Sequence, residues 1–266
     1  MMKQITQVLA LGSLAVAVGA CSSGGDSSGG GSSVTVDASP IKVFSDGSGV
    51  GKVRTASGGE VSTGYILTPE LTLALQEFEA TQEITPFDIS SLPLTGSGPN
   101  TQIREGAVTV DGVTINVTAA ITNAEDAGLS LLEEPSSGLS ILISEGVEAT
   151  GLPSSGTATY SGLFGMQDVY YDPSPELGTF MATADFQNSN VTLDGSTASY
   201  RASGTATISG NSFSSGSITI EDQPFAIVES GSLQGDFHGD GGNSMAGVIY
   251  SNDSSATYRG GFVGSQ

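Results

Sequence analysis

Hydrophobic and polar residues alternate along much of the second half of the chain, with a period of two. The clearest case lies between Gly178 and Gln187, where Phe and Ala fill one face and Thr, Met and Asp fill the other. A period of two is typical of a β-strand that buries one of its faces. The pattern predicts eight strands, at approximately 157–164, 178–187, 190–194, 198–209, 213–220, 231–238, 244–250 and 255–263.

The first and last of these strands carry the same residues in the same order on one face. The shared order is Ala, Tyr, Gly, Phe, at 158–164 in the first strand and at 256–262 in the last. This repeat predicts a closed barrel whose first and last strands are neighbours and whose interior is filled by alternating large and small side chains. A barrel that spans a membrane is the alternative. Because the apolar faces are half Ala and Gly and carry no aromatic girdle, we favour a soluble barrel.

Residues 34–153 are predicted to form a separate N-terminal domain that is rich in β-strands. Its clearest element is a hairpin at 107–117, where two runs of β-branched residues flank an Asp-Gly turn. A Gly, Ser and Pro-rich stretch at 151–156 has the composition of a linker. The barrel domain is therefore predicted at 154–266.

One α-helix is predicted within this N-terminal domain. Thr68 suits the N-cap and Pro69 the first helical position, and the pattern ends near Ala80. The apolar residues follow helical spacing, which predicts a face that packs on a sheet. They are Leu71, Leu75 and Phe78.

The first 20 residues have the pattern of an export signal, with a basic residue followed by an apolar run. This run ends in Val-Gly-Ala before Cys21, which resembles the lipobox of bacterial lipoproteins. We therefore expect a lipid anchor on Cys21, with ordinary secretory cleavage as the alternative. Residues 21–33 are mostly Ser and Gly and are predicted to be a flexible tether. Ser22 directly follows Cys21, and in lipoproteins a Ser in this place, and not an Asp, favours transfer to the outer membrane.

Charge and cysteine content exclude several classes of function. The chain has 28 acidic and 7 basic residues, and its net charge of −21 disfavours binding to nucleic acid or to anionic lipid. A single Cys forms no intramolecular disulfide and no thiolate metal cluster. The Ser residues have no credible catalytic base, and no nucleotide-binding motif is present. We therefore interpret the chain as a binding protein and not as an enzyme.

Short glycine-rich motifs in the barrel region resemble those of a known family, transferrin-binding protein B and related surface lipoproteins. The motifs are Gly156-Thr-Ala-Thr-Tyr-Ser-Gly, Gly178-Thr-Phe-Met-Ala-Thr-Ala-Asp-Phe, Gly231-Ser-Leu-Gln-Gly-Asp-Phe-His-Gly and Gly260-Gly-Phe-Val-Gly. The resemblance implies an eight-stranded antiparallel barrel preceded by a smaller "handle" domain. It also implies display on the outer face of the outer membrane and binding of a host or environmental protein, or of haem.

The predicted fold class is therefore mainly β: an N-terminal handle-like domain with one helix, then a C-terminal eight-stranded antiparallel β-barrel. The family commonly has Phe-Tyr-Gly-Pro near the end of the sixth barrel strand, where this chain has Phe237-His238-Gly239-Asp240. Recognition of transferrin itself is not implied. The expected partner is an extracellular protein or an iron-related ligand. The alternatives are a haem-binding module and a structural or adhesion lipoprotein.

Three kinds of candidate site follow from particular residues. The exposed pair Tyr170 and Tyr171 is a candidate recognition loop, although one ring could pack on the barrel rim. His238 is the only His and is a candidate haem ligand or protonation switch, although a partly exposed strand end is the simpler interpretation. A Ca²⁺ site is conceivable in two turns, which also read as plain turns. Their oxygen ligands would be Asp236, Asp240 and Asn243 in one and Asp46 in the other.

Overall fold

A computed structural model describes residues 36–38, 42–44, 48–55, 63–67, 84–110, 113–135, 139–170, 172–253 and 257–266 of the chain. Within these ranges all regular structure is β-strand, apart from one turn of 3-10 helix at Ile89–Ser91. The helix predicted at 68–80, Tyr171, and Cys21, at which we expect a lipid anchor, lie outside the described residues. In the part that is described, no helix is both long and apolar enough to span a membrane.

Ten strands are described before the barrel region. They are β1 (Val36–Ala38), β2 (Lys42–Val43), β3 (Gly49–Thr55), β4 (Thr63–Leu67), β5 (Ile84–Asp88), β6 (Leu94–Gly98), β7 (Thr101–Val110), β8 (Val113–Thr122), β9 (Ala127–Glu134) and β10 (Leu139–Val147). Strands β6 to β10 form an antiparallel meander, and β3 then adds to β10 in parallel. Strands β1 and β2 pair with successive parts of the other edge of β3, and among the described strands β4 pairs only with β5. The predicted hairpin is confirmed, because β7 and β8 pair from Val110 opposite Val113.

Eight further strands close into an antiparallel barrel, as predicted. They are β11 (Thr157–Asp168), β12 (Asp172–Asp185), β13 (Asn190–Ser196), β14 (Tyr200–Ser209), β15 (Ser212–Asp222), β16 (Ile227–His238), β17 (Ser244–Ser251) and β18 (Tyr258–Ser265). Strand β11 pairs with β18, and Phe164 stands opposite Phe262. The predicted neighbourhood of the first and last strands is therefore confirmed.

Aromatic rings form the centre of the barrel interior. Phe237 contacts Phe213 with ring centroids 5.0 Å apart, and Phe262 contacts Phe180 at 5.1 Å. Such tilted contacts stabilise aromatic pairs beyond the area they bury. Smaller residues such as Ala182 and Ala184 fill the space between the rings. The alternation of large and small residues in the sequence is thus the packing pattern of this core.

Strand β11 extends four residues beyond its predicted end at Phe164. Its residues from Gly162 to Asp168 are all buried, so both faces are covered and the sequence shows no alternation there. One face points into the barrel. The other lies under the N-terminal sheet, which packs on the outside of β11, β17 and β18.

Candidate functional site

An apolar cleft lies at the contact between the N-terminal sheet and the outer wall of the barrel. It has a volume of about 60 Å³ and lies between strands β7–β10 on one side and β11, β12 and β18 on the other. Aliphatic side chains from both sides form most of its lining, and we refer to it as the interdomain cleft. These side chains are Ile103, Leu129, Leu131, Leu142, Leu163 and Leu177.

Two polar residues lie at one end of the interdomain cleft. Gln167 on β11 and Arg259 on β18 are cross-strand partners, so their side chains share the outward face of the barrel. Arg259 is 4% exposed and Gln167 is 8% exposed. The Arg259 guanidinium donates a hydrogen bond to Ser48 Oγ and lies 4.3 Å from the centre of the Phe44 ring.

On the side away from the interdomain cleft, the N-terminal sheet and the barrel are held together by an ion pair and by the chain segment that connects them. Lys52 Nζ lies 3.1 Å from Asp236 Oδ1, and Ser212 Oγ donates to the same oxygen at 2.5 Å. Glu148 forms a β-bridge with His238, and Thr150 forms one with Asp240. The chain therefore enters the predicted linker at 151–156 already paired with the barrel.

His238 lies inside this closed interface and not at an exposed strand end, so the simpler interpretation of its position is wrong. It is 1% exposed, and its ring packs against Gly146 of β10. Its Nδ1 lies 3.1 Å from the carbonyl oxygen of Val147, and because a carbonyl only accepts, Nδ1 carries the proton. Its Nε2 is buried without a hydrogen-bond partner among the described residues. For haem iron to reach Nε2, the sheet and the barrel would have to separate.

Electrostatics at His238 favour the neutral ring. Burial lowers the pKa of His238, and the Asp236 carboxylate, the Val147 carbonyl and Asp126 oppose this to a lesser degree. The Arg54 charge adds to the lowering of the pKa. His238, the predicted protonation switch, thus lies where the N-terminal sheet contacts the barrel.

The carboxylates of the proposed Ca²⁺ turn have protein partners. Asp236 is paired with Lys52, and Asp240 Oδ1 accepts a hydrogen bond from Thr150 Oγ1 at 2.7 Å. Across the described ranges, no group of three or more Asp, Glu, His or Cys residues is placed to hold a metal ion. The second candidate turn, at Asp46, lies outside those ranges.

Large apolar side chains are exposed where the barrel strands turn furthest from the linker. This end, called the loop end below, carries the turns after β11, β13, β15 and β17. Tyr170 is 60% exposed, Phe225 is 65% exposed and Val228 is 67% exposed. Burial, together with the charges of Asp253 and Asp168, raises the pKa of Glu229 at the same end. The loop end is therefore apolar at its tips and acidic beneath them.

Sequence reasoning identified Tyr170 but missed the rest of the loop end and the whole interdomain cleft. Phe225 lies in a Gln-Pro-Phe-Ala turn. A bulky ring between two predicted strands could have indicated an exposed apolar residue at the loop end. Arg259 was a charged residue inside a strand of small and aromatic residues. Such a residue indicates a paired or functional position, because a charge is seldom buried without a partner.

Comparisons with known proteins agree with the barrel. Residues 152–266 match the family model described as the C-lobe and N-lobe beta barrels of Tf-binding protein B, which covers less than half of the chain. A double mutant of the vaccine antigen transferrin binding protein B from Haemophilus parasuis Hp5 has a TM-score of 0.53 and 16% identity, over 87% of this chain and 44% of that one. A single mutant of the same antigen has a TM-score of 0.52 and 15% identity, over 87% of this chain and 45% of that one.

Identities this low show a shared fold alone, and the chain spans less than half the length of these structures. No curated protein sequence matches it significantly. The resemblance stated from the glycine-rich motifs is confirmed for the barrel.

Proposed function

We propose, from the premise that residues 152–266 form a barrel of the transferrin-binding protein B family, that this chain is a surface binding protein. It captures an extracellular protein at the loop end of the barrel. The observation that carries this proposal is the exposure of Tyr170, Phe225 and Val228 at one end of a rigid barrel. Exposed apolar and aromatic side chains on a rigid scaffold are typical of protein-binding hot spots.

The charges near the loop end limit the kind of partner. Asp168, Glu229 and Asp253 lie close enough for their charges to interact. The whole chain carries a net charge of −21. The matching partner surface therefore combines an apolar centre with a basic rim, and its association slows as salt increases.

The proposed location rests on Cys21 and the residues that follow it. Lipid on Cys21 would hold the chain at the outer membrane, and the Ser/Gly tether to Ser33 would keep the barrel clear of the headgroups. Since the similar structures are named as transferrin binding proteins, transferrin is the first protein to test.

Binding is tested by immobilising the chain and measuring the affinity of iron-loaded transferrins from several hosts. Changing Phe225 and Val228 together to Ser is expected to weaken binding at least tenfold, because both apolar tips are lost. Met181→Ser is the matched control, since Met181 is 61% exposed on the wall of β12, away from the loop end. Equal effects of the two changes would contradict the loop end as the binding surface. If none of the transferrins binds, the choice of partner is wrong.

Location is tested on intact cells that produce the chain. Added protease is expected to digest it without lysis, and radioactive palmitate is expected to label it. Cys21→Ser is expected to abolish labelling and to release the protein from the membrane fraction. Digestion that occurs only after lysis would place the protein inside the cell envelope and contradict surface display.

A further inference from the structure

We propose that two buried carboxylates hold the aromatic tips of the loop end in place before a partner binds. The carboxylates belong to Asp168 and Asp222, and the tips that they hold are Tyr170 and Phe225, respectively. Their role in binding rests on the proposed capture of a protein at the loop end, whereas their hold on the tips does not. Both are positioning residues, because each is only 2% exposed.

Asp168 ends β11 with its side chain on the inner face of the barrel mouth. It stands opposite Tyr258, whose ring belongs to the core of the barrel. Its Oδ1 accepts a hydrogen bond of 2.8 Å from the backbone N–H of Tyr170. The preceding N–H, of Val169, donates to the carbonyl oxygen of Thr257 at 3.0 Å, in the turn between β17 and β18. The backbone at this tip is therefore fixed, although its ring is largely exposed.

Asp222 has the corresponding position at the end of β15. Its Oδ1 accepts a longer bond, of 3.4 Å, from the backbone N–H of Phe225, and the turn has further support. Gln223 N–H donates to the Ser199 carbonyl at 2.8 Å, and Ala226 N–H donates to the Gln223 carbonyl at 3.3 Å. Ala226 has a φ of 52°. A residue with a Cβ keeps such a φ only where the surrounding structure holds it.

Tyr258 joins the two carboxylates into one hydrogen-bonded unit. Its hydroxyl donates to Asp222 Oδ2 at 3.1 Å, while its backbone is paired with Asp168 across the β11–β18 seam. Asp222 thus accepts a bond on each of its oxygens, which limits rotation of the carboxylate. Connected networks of this kind make the groups they join more rigid. The two tips therefore belong to one unit and not to two independent loops.

A preformed pair of tips is expected to bind more tightly than a mobile pair. Ordering a loop or a side chain at an interface costs free energy when the partner binds. At the loop end, the buried carboxylates have already ordered the backbone of both tips. Their removal is therefore expected to weaken binding while both aromatic rings remain in the chain.

Charge is the alternative role for the two carboxylates, because a negative loop end attracts a basic partner. Asn distinguishes position from charge, since its side-chain oxygen accepts the same N–H without carrying a charge. A positioning role predicts that Asn can replace Asp at either place and that Ala cannot.

Backbone order parameters from NMR relaxation measure the hold on the tips without a partner. In the unchanged chain we expect values of about 0.85 for the amides of Tyr170 and Phe225. Asp168→Ala is expected to lower the first, and Asp222→Ala the second, to below about 0.6, whereas the Asn variants keep both. Asp194→Ala is the control, since Asp194 is exposed on the barrel wall, and it is expected to change neither.

Two results would overturn the hold on the tips. Low order parameters at both tips of the unchanged chain would overturn it without any variant. Ala variants that fold, as judged by circular dichroism, and keep the order parameters of the unchanged chain would overturn it as well.

Binding is then measured with the iron-loaded transferrin that the unchanged chain binds. We expect the dissociation constant to rise at least tenfold in Asp168→Ala and Asp222→Ala, and to stay within about twofold in the Asn variants. Equal losses in the Asn and Ala variants would show that charge, and not position, is what the partner requires. If no transferrin binds, the proposed partner is wrong, and the order parameters alone decide whether the carboxylates hold the tips.

Discussion

Lys52 Nζ lies 3.1 Å from Asp236 Oδ1, and this ion pair joins β3 of the N-terminal sheet to β16 of the barrel. Both side chains are largely buried, and Ser212 donates a second hydrogen bond to the same carboxylate oxygen. Removing one member of a buried ion pair leaves the other charge in a poorly hydrated place. The pair therefore contributes to the docking of the sheet on the barrel.

Asp236→Asn is expected to lower the free energy of unfolding by about 3 kcal/mol, because it leaves the Lys52 charge unpaired. Urea denaturation followed by circular dichroism measures the change. Asp194→Asn is the control, since Asp194 forms an ion pair with Arg201 at 2.7 Å that is largely exposed to solvent. The loss in that control is expected to stay below about 1 kcal/mol. Similar losses in the two variants would show that the Lys52 pair does not stabilise the interface.

His238 is expected to make the protein less stable in mild acid. Burial lowers the pKa of His238 in the folded protein, while in the unfolded chain the pKa stays near its usual value of about 6.5. Between these two pKa values the unfolded chain binds one more proton than the folded protein. Stability is therefore complete above pH 6.5 and falls as the pH decreases, by up to about 1.4 kcal/mol per pH unit.

The measurement is urea denaturation at a series of pH values from 7.5 to 5. His238→Gln is expected to flatten the dependence in this range, because it removes the titrating group from the interface. Carboxylates that titrate at lower pH are present in both proteins and cancel in the difference. Identical slopes in the two proteins would exclude His238 as the cause.

The barrel could be predicted because its pattern is local. Each strand from β12 to β15 has one buried and one exposed face, so alternation marks its position and its inward residues. The repeated Ala-Tyr-Gly-Phe order also predicted that β11 and β18 are neighbours, and they pair with Phe164 opposite Phe262. The end of β11 under the N-terminal sheet was missed, because both of its faces are buried. The first residues of β12 and β16, at 172–177 and 227–230, were missed as well.

The N-terminal sheet and the interdomain cleft could not be predicted in the same way. The parallel pairing of β3 with β10 joins Gly49 to Ile141, and no local pattern specifies a pairing over such a separation. The interdomain cleft depends on which outer face of the barrel meets the sheet. The positions of Arg259 and Gln167 in the cleft therefore could not be predicted before that contact was known. His238 was misjudged for the same reason.

Closure of the barrel depends on close contact between β11 and β18 at Gly162. A Cβ at this position would overlap the carbonyl oxygen of Val263 and lie 2.5 Å from the Cα of Gly264. Gly162→Ala is therefore expected to force the two strands apart and to lower the free energy of unfolding by about 3 kcal/mol. Thermal and urea unfolding measure the loss. Gly216→Ala on β15 is the control, since nothing lies within 4 Å of its added Cβ. If Gly216→Ala loses as much stability as Gly162→Ala, crowding between β11 and β18 is not the cause of the loss.

Tyr258 is expected to stabilise the loop end through Asp222. Its hydroxyl donates to Asp222 Oδ2 at 3.1 Å, and both side chains are buried. Burial and the Asp222 carboxylate raise the pKa of Tyr258, so the phenol stays protonated and remains a donor. Tyr258→Phe is expected to lower the free energy of unfolding by about 2 kcal/mol, because a buried carboxylate loses a donor. Tyr160→Phe, which removes a 2.7 Å bond to the neutral Gly242 carbonyl, is expected to lose about 1 kcal/mol. The reverse order in urea unfolding would contradict this assignment.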